Sequence, residues 1–267
     1  MFFFNKEINN PFLKALIAFA AALFVLTVVV LILLLLLPLI GVAVSSAVVI
    51  TIIAVVLVVL VVPVLSFFGI LLSNRKKGNG TKENQTFKVS DFNAIKVSKT
   101  IKLNVTCGEI QEITVTTDSN LLEYVDVSVK AEKLHVSLKR AVSTSLGVVI
   151  NVSVQNLKEL VMSGATTAKV GNISNATFKL KSSGASKAEL SGKIEAVEIK
   201  ISGASSVYAK ELETEKAILK VAGAAKVTLF VSKSFDATLS GASKVVCYGK
   251  PETVTKSISG AAKMDFL

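Results

Sequence analysis

The sequence of 267 residues contains no tryptophan, one histidine, two cysteines and four prolines. Two cysteines, Cys107 and Cys247, are too few for a framework of disulfides. The single histidine, His135, has no second histidine and no cysteine nearby in the sequence, so we expect no metal site and no cofactor. Acidic residues are also in the minority, with 19 against 30 lysines and arginines and a formal net charge of +11.

Charge is missing altogether between Lys14 and Arg75. One membrane-spanning helix needs roughly 20 residues, so this uncharged stretch is long enough for two, and it predicts a helical hairpin inserted in a lipid bilayer. A cleaved signal peptide is the competing interpretation, but the first apolar run is longer than the roughly 7–15 residues of a signal-peptide core. The predicted segments are an N-terminal tail (1–11), two transmembrane helices (12–40 and 48–72), a basic linker (73–86) and a β-domain (87–267).

The lysines and arginines that flank the predicted spans indicate their orientation. Lys6 in the tail and Lys14 at the start of the first span flank its N-terminal end, and the exit from the second span carries four cations, whereas the short loop between the spans carries none. Because cytoplasmic flanks of membrane helices are enriched in lysine and arginine, we expect both ends of the chain on the cytoplasmic side of a bacterial plasma membrane. The exoplasmic or periplasmic side is the alternative. The cations at the exit are Arg75, Lys76, Lys77 and Lys82.

From about Phe87 onward, apolar and polar residues alternate with the period of half-buried strands. A Ser-Gly-Ala tripeptide, or a near copy of it, then returns every 18 to 20 residues. A unit this short cannot bury its apolar positions alone, but stacked units can. The sequence therefore predicts a mainly β fold, a right-handed parallel β-helix or β-solenoid with coils of about 19 residues. The predicted structural corners are Gly164, Gly184, Gly203, Gly223, Gly241 and Gly260.

The corner tripeptide is best explained by structure, since glycine adopts backbone conformations that other residues avoid and serine and alanine are small enough to stack in a bend. The serine hydroxyls are also able to satisfy backbone groups at the corner. No Gly-x-Ser-x-Gly motif, phosphate-binding loop or calcium-binding repeat is present, and no pair of carboxylates recurs at one repeat position. We therefore expect no catalytic residues and no enzymatic activity. A carbohydrate-active enzyme is an alternative supported by fold analogy alone.

The leading strands "FNAIKVSKTIKLNVT", the Asn-Leu-x-x-Leu of "VQNLKEL" and the repeated corners closely resemble the putative auto-transporter adhesin head GIN domain family, formerly a domain of unknown function. The likeness covers about residues 88 to 267. The resemblance implies a β-helical bacterial domain that is exported, with adhesion proposed by analogy, and it brings no catalytic residues. The predicted membrane hairpin and its basic exit are departures from the family pattern.

Lysine recurs three residues after the corner glycine. Stacking would align these lysines along one edge of the coils, where they are candidates for binding lipid head groups or an anionic polymer. A solvated face that protects the stack from aggregation is the competing interpretation. Nucleic acid is not expected as a partner, because no aromatic residues alternate with the lysines. The candidate residues are Lys187, Lys226, Lys244 and Lys263.

Two functions follow from these patterns. The first is a membrane-anchored, adhesin-like binding module of unknown ligand. The second is a cytoplasm-facing scaffold, similar in logic to bactofilins, that assembles through the ends of its β-helix. The last coil carries no amphipathic cap, and a bare coil is an open sheet edge, so self-association through the terminal coil is also expected.

Overall fold

Eighteen strands and one 3₁₀ helix make up residues 75–267, the part of the chain that the computed structural model describes. The predicted tail and both predicted transmembrane helices, 12–40 and 48–72, lie outside the described residues. Within residues 75–267, no helix has the length and apolar character needed to cross a bilayer.

The strands that precede the glycine repeat are short. They are β1 (Lys76–Lys77), β2 (Lys82–Phe87), β3 (Ala94–Ser98), β4 (Lys102–Cys107), β5 (Glu112–Asp118), β6 (Val125–Lys130), β7 (Lys133–Leu138), β8 (Val142–Ser143) and β9 (Val149–Val154), with the 3₁₀ helix at Ser119–Tyr124. The repeat region contains β10 (Glu159–Gly164), β11 (Thr167–Ile173), β12 (Thr177–Gly184), β13 (Lys187–Gly203), β14 (Ser206–Gly223), β15 (Lys226–Gly241), β16 (Lys244–Tyr248), β17 (Thr253–Ile258) and β18 (Lys263–Phe266).

The repeat units stack as parallel coils, and each corner glycine separates two ladders of strands. The pre-corner ladder runs in the order β7, β3, β10, β12 and then the C-terminal parts of β13, β14 and β15, ending at β17. The post-corner ladder runs β9, β4, β11, the N-terminal parts of β13, β14 and β15, then β16 and β18. The predicted β-solenoid of stacked coils is confirmed.

The corner glycines lie in register, as the spacing of the repeat predicts. Gly164, Gly184, Gly203, Gly223 and Gly241 pair in sequence through the pre-corner ladder. The alanine after four of these glycines donates its backbone N–H to the glycine carbonyl of the preceding coil, as Ala204 does to Gly184 at 2.9 Å. The other three donors are Ala185, Ala224 and Ala242. These bonds continue the sheet hydrogen bonding around the bend, so the backbone of the corner stays satisfied.

A further coil, which the glycine spacing does not reveal, lies beneath Gly164. It consists of β3 and β4, and its corner residue is Lys99, which adopts a positive φ of 72° without being glycine. Lys99 donates its N–H to Ser163 O at 3.1 Å. The coil formed by β7 and β9 packs on the other side of β3 and β4, although it follows them in the sequence. The spatial order of these coils therefore differs from their order along the chain.

The core lies inside the coils and is built from columns of side chains at equivalent repeat positions. One column consists of Phe178, Val197, Ala217 and Phe235, paired in this order and all buried. The smaller Val197 and Ala217 lie between the two phenylalanines, which keeps the total volume of the column compatible with a regular strand spacing. Both cysteines are also buried, and burial raises the pKa of each thiol to about 11.

The first coils are covered by antiparallel strands. β6 pairs with β7, β5 pairs with β9, and β2 pairs with β5. β1 and all of β2 except Phe87 fall within residues 73–86, the predicted basic linker, so most of that segment belongs to the β-domain. Five of the six side chains of β2 are exposed, and for that reason its sequence shows no apolar alternation.

A buried carboxylate holds this N-terminal segment in place. Asp118 is 1% exposed and accepts hydrogen bonds from the Gly80 N–H at 2.6 Å and from the Thr144 hydroxyl. The bond from Thr144 contributes most to lowering the pKa of Asp118 below its ordinary value. Asn79 adds a hydrogen bond from its side-chain amide to the Ser119 hydroxyl at 2.8 Å. The residues that follow position 74 are thus firmly attached to the β-domain.

Candidate functional site

The four predicted stripe lysines lie in one column on the post-corner ladder. Each occupies the first position of its strand, and the column runs Lys187, Ser206, Lys226, Lys244, Lys263. Thr167 extends the same column to Lys102 on β4. Lys102 lies outside the glycine repeat, and so the repeat alignment misses it. The alignment of the predicted residues is a structural fact, whereas binding by them stays a prediction.

The lysines of this column differ in how their charge is balanced. Lys187 forms an ion pair with Glu189 at 2.8 Å, and the hydrogen bond to Glu189 raises the pKa of Lys187. Lys244 and Lys263 form no ion pair with any residue in the range 75–267. Neighbouring strands lie about 4.8 Å apart, so these uncompensated cations repel each other. An anion bound between them would relieve that repulsion.

A second lysine column lies on the pre-corner ladder, three residues before the corner glycine. Lys181, Lys200 and Lys220 pair directly in consecutive coils. Lys181 and Lys200 form ion pairs with Glu159 and Glu198 at 2.8 and 2.6 Å, whereas Lys220 has no such partner among the described residues. The recurrence of lysine three residues before the glycine is visible in the sequence, as is the recurrence three residues after it.

Between the two columns stands a strip of small side chains, which we call the corner ridge. Its outward residues before the glycines are Ser183, Ser202, Ala222 and Ser240, in register. Ser240 donates its hydroxyl to Val221 O at 3.2 Å, so this serine satisfies the backbone of the preceding coil, as predicted. Shallow cavities of about 440 and 400 Å³ flank the ridge, one on each side. A flat or extended ligand therefore finds cations on both sides of a low ridge.

A groove that the sequence analysis missed lies further along the post-corner ladder. We call it the tyrosine groove: its cavity of about 530 Å³ is lined by Tyr208 and Tyr248 together with lysines, glutamates and hydroxyl side chains. The ammonium of Lys210 lies 4.4 Å from the ring centroid of Tyr248, and that of Lys187 lies 5.3 Å from the ring of Tyr208. The expectation that no aromatic residue stands among the lysines is therefore wrong at Tyr208, which lies between Lys187 and Lys226.

The histidine and the possible metal ligands within residues 75–267 form no further candidate site. Burial and the nearby Lys96 lower the pKa of His135, so its imidazole is neutral at pH 7. Among residues 75–267, no group of three His, Cys, Asp or Glu side chains is placed to hold a metal ion.

The last coil, β17 and β18, pairs on one side only and leaves Val254, Ile258 and Phe266 41% exposed. Self-association through that coil stays a prediction.

The fold defines a class of protein, a β-solenoid whose coils turn at glycine corners and whose surface is lined by basic columns. The sequence profile of the family described as "Putative auto-transporter adhesin, head GIN domain" matches residues 91–251, which is more than half of the chain. The chain belongs to this family, and the resemblance noted from the sequence is confirmed. None of the curated proteins matches the chain.

Solved structures share this architecture at low sequence identity. A putative adhesin from Bacteroides fragilis NCTC 9343 is 15% identical with a TM-score of 0.60, and the match covers 72% of this chain and 99% of that one. A putative lipid binding protein from Parabacteroides distasonis ATCC 8503 is 18% identical, with coverages of 73% and 100% and a TM-score of 0.48. At 15% identity, the similarity to the Bacteroides fragilis protein supports the fold and nothing further.

Proposed function

We propose that this protein is a non-enzymatic, membrane-anchored and adhesin-like binding module that engages an anionic partner through its corner ridge. The observation that carries the proposal is the pair of lysine columns, in register on either side of the ridge. Family membership supports an adhesin-like role, because the family is described as an adhesin head domain. We also propose a right-handed path for the coils, the hand that parallel strand connections favour.

The physics of the ridge favours a repeating anion over a single small one. Lysine ammonium groups are compact charges on flexible stems, and the strand repeat presents them about every 4.8 Å. Each contact with an exposed lysine is weak and screened by salt, so several must act together. Lipid head groups and anionic polymers both offer repeated negative charges, and either satisfies this requirement.

Replacing Lys187, Lys226, Lys244 and Lys263 by glutamine tests the ridge. A lysine near an anionic bilayer contributes about 1 kcal/mol, and we therefore expect the four substitutions together to weaken binding by at least tenfold. The measurement is co-sedimentation of the full chain, held in nanodiscs of neutral lipid, with liposomes that contain phosphatidylglycerol. Binding of the unchanged protein should also fall as salt is raised, because exposed charges are screened.

The matched control removes the same charge elsewhere. Lys88, Lys130, Lys158 and Lys250 are exposed and lie off both columns, and their replacement by glutamine should leave most of the binding intact. Equal losses in the two variants would mean that net charge alone attracts the protein. Unchanged binding in the column variant would overturn the proposal.

We further propose that residues 12–40 and 48–72 anchor the domain in the plasma membrane and that the β-domain faces the cytoplasm. In that orientation "adhesin-like" refers to the family and the fold, and the anionic partner lies on the cytoplasmic side. The proposal rests on the uncharged stretch and on the cations that flank it. Fusions after Leu267 test it: we expect a fluorescent protein to be active there and alkaline phosphatase to be inactive in cells. Active phosphatase would reverse the orientation and favour the exported location that the family resemblance implies.

A further inference from the structure

Two of the three tyrosines in the chain line one groove. Tyr208 pairs with Thr228, and the strand after it carries Tyr248, so the two rings lie on strands separated by a single strand. The strand spacing places them about 10 Å apart along the stack. Both side chains are half-buried, which fixes their rings while leaving part of each open to solvent. The third tyrosine, Tyr124, belongs to the 3₁₀ helix on the opposite end of the domain.

An irregularity in β14 creates this groove. Ala209 pairs with Leu229 and Glu213 pairs with the next residue of β15, Phe230. The three residues of β14 between them, at positions 210–212, therefore have no partner on β15. Such bulges redirect side chains and are frequent next to functional sites. Here the extra residues include Lys210 and Glu211, which form one wall of a cavity of about 530 Å³. That volume falls within the range of roughly 300–1,000 Å³ typical of small-molecule sites.

The groove combines aromatic surface with cations and hydrogen-bonding groups. A tyrosine ring offers a flat apolar face with partial negative charge, suited to the polarised C–H face of a sugar ring. The ammonium of Lys210 lies over the Tyr248 ring at 4.4 Å from its centroid, and those of Lys187 and Lys226 lie over the Tyr208 ring at 5.3 and 6.0 Å. A ligand that stacks on either ring would displace these flexible side chains from the ring face, and the displaced ammonium groups would then lie beside the ligand. Ammonium groups bind carboxylates through charge-assisted hydrogen bonds.

Hydroxyl recognition is also available in the groove. Ser191 and Thr228 are able to donate and accept, and the Glu211 carboxylate accepts. Inorganic phosphate would make no use of the ring faces. A neutral sugar would leave Lys169 and Lys210, which line the groove and form no ion pair within residues 75–267, without an anionic partner. We infer that the tyrosine groove binds a carboxylated saccharide. This site is separate from the corner ridge, and only Lys187 and Lys226 of the post-corner lysine column reach it, through the ring of Tyr208.

The probe for this inference is an oligogalacturonide, a carboxylated saccharide, and its neutral methyl ester is the matched control ligand. Calorimetry on the full chain should show saturable binding of the acid and at least tenfold weaker binding of the ester. Tyr208→Ala combined with Tyr248→Ala should reduce the affinity for the acid at least tenfold, since buried aromatic contacts carry a large share of binding energy. Phenylalanine at both positions should retain it, because the ring face is kept.

Several outcomes would overturn the inference. These are no binding of the acid, equal binding of acid and ester, or binding that the alanine variant leaves unchanged and that polyphosphate reproduces. Tyr124→Ala is the control variant and should bind the acid normally. Lys244→Gln with Lys263→Gln should impair liposome binding and spare saccharide binding, so that failure of the groove and failure of the ridge are distinguishable.

Discussion

Replacing Gly223 by alanine is expected to lower the free energy of unfolding of the β-domain by more than about 3 kcal/mol, because two penalties add. Gly223 adopts a φ of 129°, a conformation that residues with a side chain rarely adopt. A Cβ at this position would also lie 2.5 Å from Gly203 O and 2.9 Å from Gly203 N in the preceding coil. The carbonyl of Gly203 accepts the Ala224 N–H at 3.1 Å, so any shift that relieves the clash weakens that bond.

Alanine substitutions at two other glycines distinguish the cost of the steric clash from the cost of the backbone conformation. A Cβ at Gly171 would meet nothing closer than 3.7 Å, and alanine there should be nearly neutral. Gly147 has a φ of 75° but open space around it, and alanine should cost about 1–2 kcal/mol. Urea titrations of the full chain in detergent, followed by circular dichroism of the β signal, measure all three. Indistinguishable unfolding midpoints for Gly223→Ala and Gly171→Ala would contradict this explanation of the corner.

The glycine spacing predicts the stacking and its register because every coil presents the same environment at equivalent positions. Gly164 to Gly241 pair in the order that the spacing implies, and the lysine column from Lys187 to Lys263 follows from the same alignment. A column on the surface of a solenoid is thus readable from the sequence, since a constant offset from the corner means a constant position on the stack. The second column, at Lys181, Lys200 and Lys220, was readable in the same way.

Features that depart from the repeat cannot be predicted from the spacing of the glycines. Lys99 turns a corner without glycine, and β3 and β4 insert between strands that come later in the chain. β2 is polar on both faces, so neither alternation nor hydrophobicity marks it as a strand. The tyrosine groove depends on a bulge in β14, and a unit that is one or two residues longer than its neighbours does not show where its extra residues go.

Phe178→Ala is expected to cost about 3–5 kcal/mol, since it empties a fully buried position in the middle of the stack. The next two coils present Val197 and then Ala217 in the same column, and neither is large enough to fill the space. Phe178→Leu keeps most of the volume and should cost less than about 1.5 kcal/mol. Val254 occupies the same column on the last coil but is 41% exposed, and Val254→Ala should therefore cost much less than Phe178→Ala.

The strands that lose hydrogen-exchange protection in Phe178→Ala distinguish a solenoid, in which the effect is local, from a globular core. Coils contact only their neighbours, so hydrogen exchange in Phe178→Ala should accelerate most in β12 and in the adjacent pre-corner strands β10 and β13. The antiparallel strands β2 and β5, several coils away, should lose less protection. Uniform acceleration across the domain would show that the coils unfold as a single cooperative unit, and a cost below about 1 kcal/mol would show that the column collapses to fill the gap. Graded protection would instead mean that the corner ridge and the tyrosine groove, which lie over the central coils, depend on the packing directly beneath them.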